Sequence, residues 1–213
     1  AIGAVDGRMI EEFDRETNML AALFDVTDQY KKATIIRALM NGTLPGKDSP
    51  ALASYLIEIL CASERHSDAV DFIRKTWGRA IDDGISTLGD MSDPEGSLCA
   101  SAAAGPVKEL IAEFVGIKPV FGTHRFSISP HLGNLRWARG SIQTKTGKLG
   151  VEWKSMRYGF SMWVEVPEGL KVDVYPPCPE NARITLDGKP YQSQIVTLGT
   201  GNHEIKVMPG RAP

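Results

Sequence analysis

Apolar positions recur every three or four residues through the first half of the chain, then every second residue through the rest. The first rhythm belongs to helices with one buried stripe, the second to strands with one buried face. Residues 14–25 place Met19, Leu20, Leu23 and Phe24 on one side of a first helix. Thr27 can cap a second, whose inner face carries Tyr30, Ala33, Ile36, Leu39 and Met40 and which Asn41-Gly42 ends. Ser49-Pro50 opens a third, with Ser at the cap and Pro in the first turn, running through Leu52, Tyr55, Leu56, Ile59 and Leu60. A fourth starts near Ser67 with Ala69, Val70, Ile73, Trp77 and Ala80 inward. After a long loop of Gly, Ser and Asp, Pro106 starts a fifth. It carries Val107, Leu110, Ile111, Phe114 and Val115, and Gly116 stops it. Short connections between such helices imply antiparallel hairpins.

Strands are expected at 126–129, 135–143, 148–154, 159–166, 171–175, 183–186, 194–198 and 203–207. Asp187-Gly188 is a two-residue hairpin signal between Ile184-Thr185-Leu186 and Pro190-Tyr191. Many short strands at regular spacing argue for an antiparallel β-sandwich. The expected architecture is therefore α+β in two domains, helical hairpins over 1–118 and a β-sandwich over 119–213. Ile117-Lys118-Pro119 through Gly122 would be the linker.

Composition changes this picture only in part. The 213 residues are 42% hydrophobic and 23% charged, ordinary for a globular protein. No apolar run approaches a membrane span, and no cationic segment precedes an apolar one as in a signal peptide. Residues 1–117 hold 11 Lys+Arg against 19 Asp+Glu, whereas residues 118–213 hold 13 against 7. The net charge of -2 hides that split and leaves no overall basic footprint for nucleic acid. Cys61, Cys99 and Cys178 are odd in number and lack zinc spacing, and Cys61 reads as a small buried hydrophobe. Asn41-Gly42-Thr43 is a glycosylation sequon, which matters only in a secreted parent.

Familiar catalytic signatures are absent: there is no phosphate-binding Gly loop and no GxSxG elbow. His66, His124, His131 and His203 are scattered and read as surface or turn residues, so no metal site is expected. Trp77, Trp153 and Trp163 fall in apolar patterns that suit a core. Trp137 lies beside Arg136 and Arg139, where it could meet the acidic helical half and a substrate. The informative stretch is 77–106, where a helix ends, a loop rich in Gly and carboxylates follows, and another helix begins. Loops between the helices of a barrel line its open, ligand-binding end.

That stretch, Trp77-Gly78 through Asp82-Asp83-Gly84-Ile85-Ser86-Thr87-Leu88-Gly89-Asp90-Met91 and on to Ser97-Leu98-Cys99-Ala100-Ser101-Ala102-Ala103-Ala104-Gly105-Pro106-Val107, resembles the last hairpins of glycoside hydrolase family 78, the α-L-rhamnosidases. Phe126 through Trp153 resembles that family's run into its C-terminal β-sandwich, and the helices around Asp14–Val26 and Ser49–Leu60 resemble those before it. The resemblance implies an (α/α)6 catalytic barrel and inverting hydrolysis of a terminal rhamnose. It also implies a general base in the loop, where the family usually has Thr-Thr-x-Trp-Glu. Here Asp90 falls at the base position and Gly89 at that of the sugar-stacking Trp. Ala100 and Ala102 stand where the family has a His and an aromatic residue. No segment matches the family's general-acid motif.

Inverting hydrolysis needs two carboxyl groups about 6.5–9.5 Å apart, one to donate a proton and one to activate water. Asp90 can act through water, its carboxylate set back from a Glu by about 1.5 Å, one C–C bond. Read without the family, Asp90 is a loop or cap carboxylate near Asp93 and Glu95. Three functions follow. The first is the C-terminal portion of a glycoside hydrolase, with Asp90 catalytic and Asp93, Glu95 and Trp137 contacting sugar. The second is a non-catalytic carbohydrate-binding or scaffold module. The third is a degenerate member acting on another neutral or uronic sugar. None requires a cofactor or metal. The expected partners are a carbohydrate and the remainder of a parent chain, with neither nucleic acid nor membrane; secreted and cytoplasmic locations both stay open. Twelve barrel helices need on the order of 200 residues. Five helices and a start at Ala1 rather than Met are thus expected of a piece of a longer protein, with apolar helix faces left for the missing part to cover.

Overall fold

The computed structural model describes residues 3–5, 8–10, 14–46, 49–84, 86–89, 99–179 and 181–210. The chain forms two compact units, residues 1–107 and 108–213.

The first unit opens with a short antiparallel hairpin, β1 (Gly3–Val5) and β2 (Arg8–Ile10). Helices α1 (Arg15–Leu23), α2 (Gln29–Met40), α3 (Pro50–Ala62) and α4 (His66–Asp82) follow. Their starts are local chemistry. The Asp14 side chain accepts from Thr17 N–H at 2.8 Å, and Ser49 accepts from Leu52 N–H at 3.3 Å with Pro50 in the first turn. Asp28, not Thr27, caps α2, accepting from the N–H groups of Tyr30 and Lys31. A carboxylate is the stronger acceptor for the N-terminal amides of a helix.

Helix α3 packs against α1, α2 and α4 and is the centre of this unit. Leu56, Ile57, Ile59 and Leu60 are fully buried and Leu52, Ala53 and Cys61 nearly so, giving a helix apolar on several sides. The inner faces of the first two helices differ from the expected ones. Met19 is buried, but Leu20 and Phe24 are exposed, and α1 instead turns Asn18, Ala21, Ala22 and the stem of Arg15 inward. In α2 the buried set is Ile35, Ile36 and Leu39, while Tyr30 is exposed. Both stripes are therefore offset from the expected ones. His66 is buried at the start of α4, contrary to its surface reading. Among the described residues no helix is long and apolar enough to cross a membrane.

A 3-10 turn (Ser101–Ala104) precedes α5 (Pro106–Glu109), which continues as a π-helical turn over Leu110–Val115. Gly116, at φ 92°, ends it in the left-handed region. The second unit starts within α5, at Lys108, so the end of this helix folds with the sandwich. The expected linker is itself a strand, β3 (Ile117–Val120), paired antiparallel with β4 (Arg125–Ile128). Strands β5 (Trp137–Thr144), β6 (Gly147–Met156), β7 (Gly159–Val166) and β8 (Lys171–Val174) follow. The last are β9 (Arg183–Leu186), β10 (Lys189–Tyr191), β11 (Val196–Leu198) and β12 (Gly201–Met208).

They form a six-stranded sheet, β10-β9-β12-β7-β6-β5, and a four-stranded sheet, β11-β8-β4-β3. All pairings described are antiparallel except β4 with β8. That exception arises because β5–β7 are built in the other sheet between them. Leu149, Val151, Trp153, Met162, Val164 and Ile205 of the larger sheet share one core with Ile128, Val172, Val174, Val196 and Leu198 of the smaller. The Asp187-Gly188 hairpin forms as expected, with φ 50° and 78° at its two central residues.

Candidate functional site

The loop that follows α4 carries the residues singled out for chemistry. Asp90, Asp93 and Glu95 lie outside the described residues; the frame around them does not. The loop closes at its base, where Ala100 N–H donates to Leu88 O at 2.7 Å. The 3-10 turn that follows is anchored inside the helical unit. The buried Trp77 indole N–H donates to Ala103 O at 2.9 Å, and Ser54 of α3 donates to Ala102 O at 3.4 Å. Trp77 also meets Phe72 edge-on, with ring centroids 6.3 Å apart. Its core reading therefore holds, with a second task that periodicity does not signal: its polar edge fixes the loop's exit. Gly105 is needed for the same closeness, since a Cβ there would collide with the Ser54 hydroxyl. Gly89 and Ala100 are partly buried and Ala102 is exposed. None of the three offers the ring or imidazole that could stack on or hydrogen-bond a sugar.

Trp137 is the first residue of β5, opposite Lys154, and is 62% exposed. It belongs to the second unit, so it is described with the outer face of the six-stranded sheet. That face also carries Trp163, 38% exposed, against the expectation of a core residue. Cross-strand register explains the difference. Trp163 pairs with Glu152, whereas the fully buried Trp153 pairs with Met162 on the opposite face. The alternation Ser161-Met162-Trp163-Val164-Glu165-Val166 already placed Trp163 with the polar set. Trp153 is held inside by its indole N–H, which donates to Phe114 O at 2.7 Å.

Around Trp163 lies a shallow hollow of about 620 Å³, lined among others by Arg139, Gly150, Glu152, Asn202 and Glu204. Its carboxylates are paired: Glu152 with Lys154 at 3.0 Å and Arg139 at 3.8 Å, Glu165 with Lys148 at 2.8 Å, Glu204 with Lys206 at 2.8 Å. At its rim Asp187 accepts from Glu204 N–H at 2.8 Å and lies 3.0 Å from His203 Nδ1. The backbone N–H of Glu204 and the His203 ring hold the Asp187 carboxyl below the usual carboxylate range. In the smaller sheet, burial pushes Asp173 up, but the Thr197 hydroxyl and the Arg125 guanidinium outweigh it and hold that carboxyl low. This second cluster ties β4, β8 and β11 together.

Comparison with known proteins follows the same division. Residues 116–189 match the family model of the bacterial alpha-L-rhamnosidase C-terminal domain. No curated protein matches the chain. Among solved structures it is similar to the alpha-L-rhamnosidase from Dictyoglumus thermophilum, with TM-score 0.72 and 16% identity over 92% of this chain and 25% of that one. It is also similar to the Streptomyces avermitilis alpha-L-rhamnosidase complexed with L-rhamnose (TM-score 0.69, 20% identity, 96% of this chain, 22% of that one). A third likeness is to the family GH78 rhamnosidase of Bacillus sp. GL1 (TM-score 0.69, 24% identity, 79% of this chain, 19% of that one). The chain thus has the fold of one portion of these proteins and spans about a quarter of their length or less.

Proposed function

We propose that this chain is the C-terminal portion of a glycoside hydrolase that removes a terminal sugar with inversion. In this reading its helices contribute hairpins to an (α/α)6 barrel and its sandwich is the domain that follows. The observation that carries the proposal is the family-model match over 116–189, continuous with a helical unit of the same fold as the matched enzymes. Exposed Phe24, Val26 and Tyr30 support it, since further barrel helices would cover them. The hydrogen bond from Ala100 N–H to Leu88 O, which ties the two ends of the loop together, is compatible with this reading. Asp90 then accepts a proton from the attacking water, while the proton for the leaving oxygen comes from an acid elsewhere in the barrel. Asp93, Glu95 and Trp137 are the proposed sugar contacts. With Gly89 in place of a stacking ring, the sugar would be held more by hydrogen bonds than by an aromatic face.

The test is Asp90→Asn in the natural full-length protein, assayed on aryl α-L-rhamnosides and other aryl glycosides. Loss of turnover by 10²-fold or more, with fold and substrate binding retained, is expected of a lost base. Undiminished turnover refutes the assignment. Replacement of the stacking, imidazole and aromatic positions by Gly89, Ala100 and Ala102 favours the second reading, a non-catalytic carbohydrate-binding or scaffold module. An intact full-length protein that hydrolyses none of the glycosides yet binds them would decide for it.

A further inference from the structure

We infer that the outer face of the six-stranded sheet binds a neutral saccharide in the hollow beside Trp163. The site is built wholly from residues 139–204 and does not depend on a catalytic role for Asp90.

Its volume, about 620 Å³, lies within the range of small-molecule sites, roughly 300–1,000 Å³. Gly150, on β6 between β5 and β7, is part of the lining, with the side chains of Glu165 and Lys148 beside it. A Cβ at that position would already come within 3.2 Å of Glu165 Oε2. Trp163 borders the hollow with a partly exposed ring, steadied by the Lys154 ammonium 5.3 Å from its centroid. The part of the ring left uncovered on this charged sheet face suits the C–H face of a pyranose.

The electrostatics select the class of sugar. Glu152, Glu165 and Glu204 each have a cation within 3.8 Å, and Asp187 is met by a backbone N–H and His203. Each of these carboxylates already has a partner, so an ionic ligand would compete with existing pairs. A uronate would face carboxylates, and an amino sugar would have to displace ammonium or guanidinium groups already in place. Yet a paired carboxylate retains lone pairs, and Arg139 and Asn202 retain donors, so the lining offers both acceptors and donors to sugar hydroxyls. Neutral polyols are the ligands that use such groups without disturbing the pairs.

The test is NMR titration of the 213-residue chain with L-rhamnose, D-galactose and D-glucose, and separately with D-galacturonate, each to about 50 mM, where millimolar affinities register. The Trp163 indole N–H and the Gly150 amide should shift saturably with at least one neutral sugar and not with galacturonate. Trp163→Ala should weaken that binding at least tenfold. Gly150→Val adds a branched side chain to the lining, against Glu165, while leaving Trp163 in place, and should abolish that binding; circular dichroism checks that the fold is kept. Absence of saturable shifts with all three neutral sugars, equal response to galacturonate, or undiminished binding by a folded Gly150→Val chain would each overturn the proposal. Because the readout is binding by this unit, it is independent of whether Asp90→Asn alters turnover.

Discussion

Trp153 offers the sharpest quantitative test of how the second unit is held together. Its side chain is fully buried, packs on Phe160 at a ring-centroid distance of 5.9 Å, and donates to Phe114 O at 2.7 Å. Trp153→Phe removes the donor and part of the fused ring while keeping an aromatic core residue. The lost hydrogen bond is worth about 0.5–1.5 kcal/mol net. Roughly two ring carbons leave the core at about 0.8 kcal/mol each, with little relaxation expected in a close-packed sandwich. The sum is about 2–3 kcal/mol, a factor of roughly 30–150 in the opening equilibrium. Two compact units need not unfold together, so a single melting curve is the wrong readout. Amide hydrogen exchange of Met162 and Val164 in β7 isolates the sandwich, and their protection should fall by that factor. Trp163→Phe, on the outer face, should change it by less than about 0.5 kcal/mol. A Trp153→Phe chain whose β7 amides lose less than threefold protection would refute the claim that the indole is a structural tie.

Gly116→Ala should destabilise the second unit by about 3 kcal/mol or more. Its φ of 92° strains an L-residue, and the new Cβ would press on the backbone of Ser129 and Pro130; chemical denaturation of the variant measures it. Asp187→Asn should be destabilising near neutral pH and progressively less so in acid. The depressed folded-state pKa of Asp187 gives stability that is present above its unfolded value, about 3.9, and lost as the pH falls through the folded value. Asn keeps the positive-φ turn, so urea midpoints of wild type and variant measured from pH 7 to pH 3 should converge only at the acid end.

Much of the fold was legible because its signals are local. Ser49-Pro50, Asn41-Gly42, Gly116 and Asp187-Gly188 bound their elements as the chemistry of caps and turns requires, and the run Gly159–Val166 alternates as a half-buried strand must. The misreadings have separate causes. Tyr30 and Phe24 are apolar at helical spacing, but spacing fixes only which residues share a side, not which side another helix covers. Ile117–Val120 contains Pro and Lys and looks like a linker, yet Pro119 is tolerated on an outer strand with β4 as its described neighbour. Trp163 was read by its type when its parity was the better guide.

Sequence alone therefore determined the succession of helical and then strand-forming segments and the caps and turns that bound several of them, since propensity, periodicity and turn chemistry act over a few residues. Only tertiary structure decided that α3 is the hub of the helical unit, that β4 lies parallel to β8, and that Trp77 and Trp153 turn their N–H groups onto the carbonyls of Ala103 and Phe114. It also decided that Gly150 and Trp163 line one hollow on the outer face of the larger sheet. Those features join residues from separate elements, and no pattern along the chain specifies which buried donor will reach which distant acceptor until packing brings them within hydrogen-bonding range.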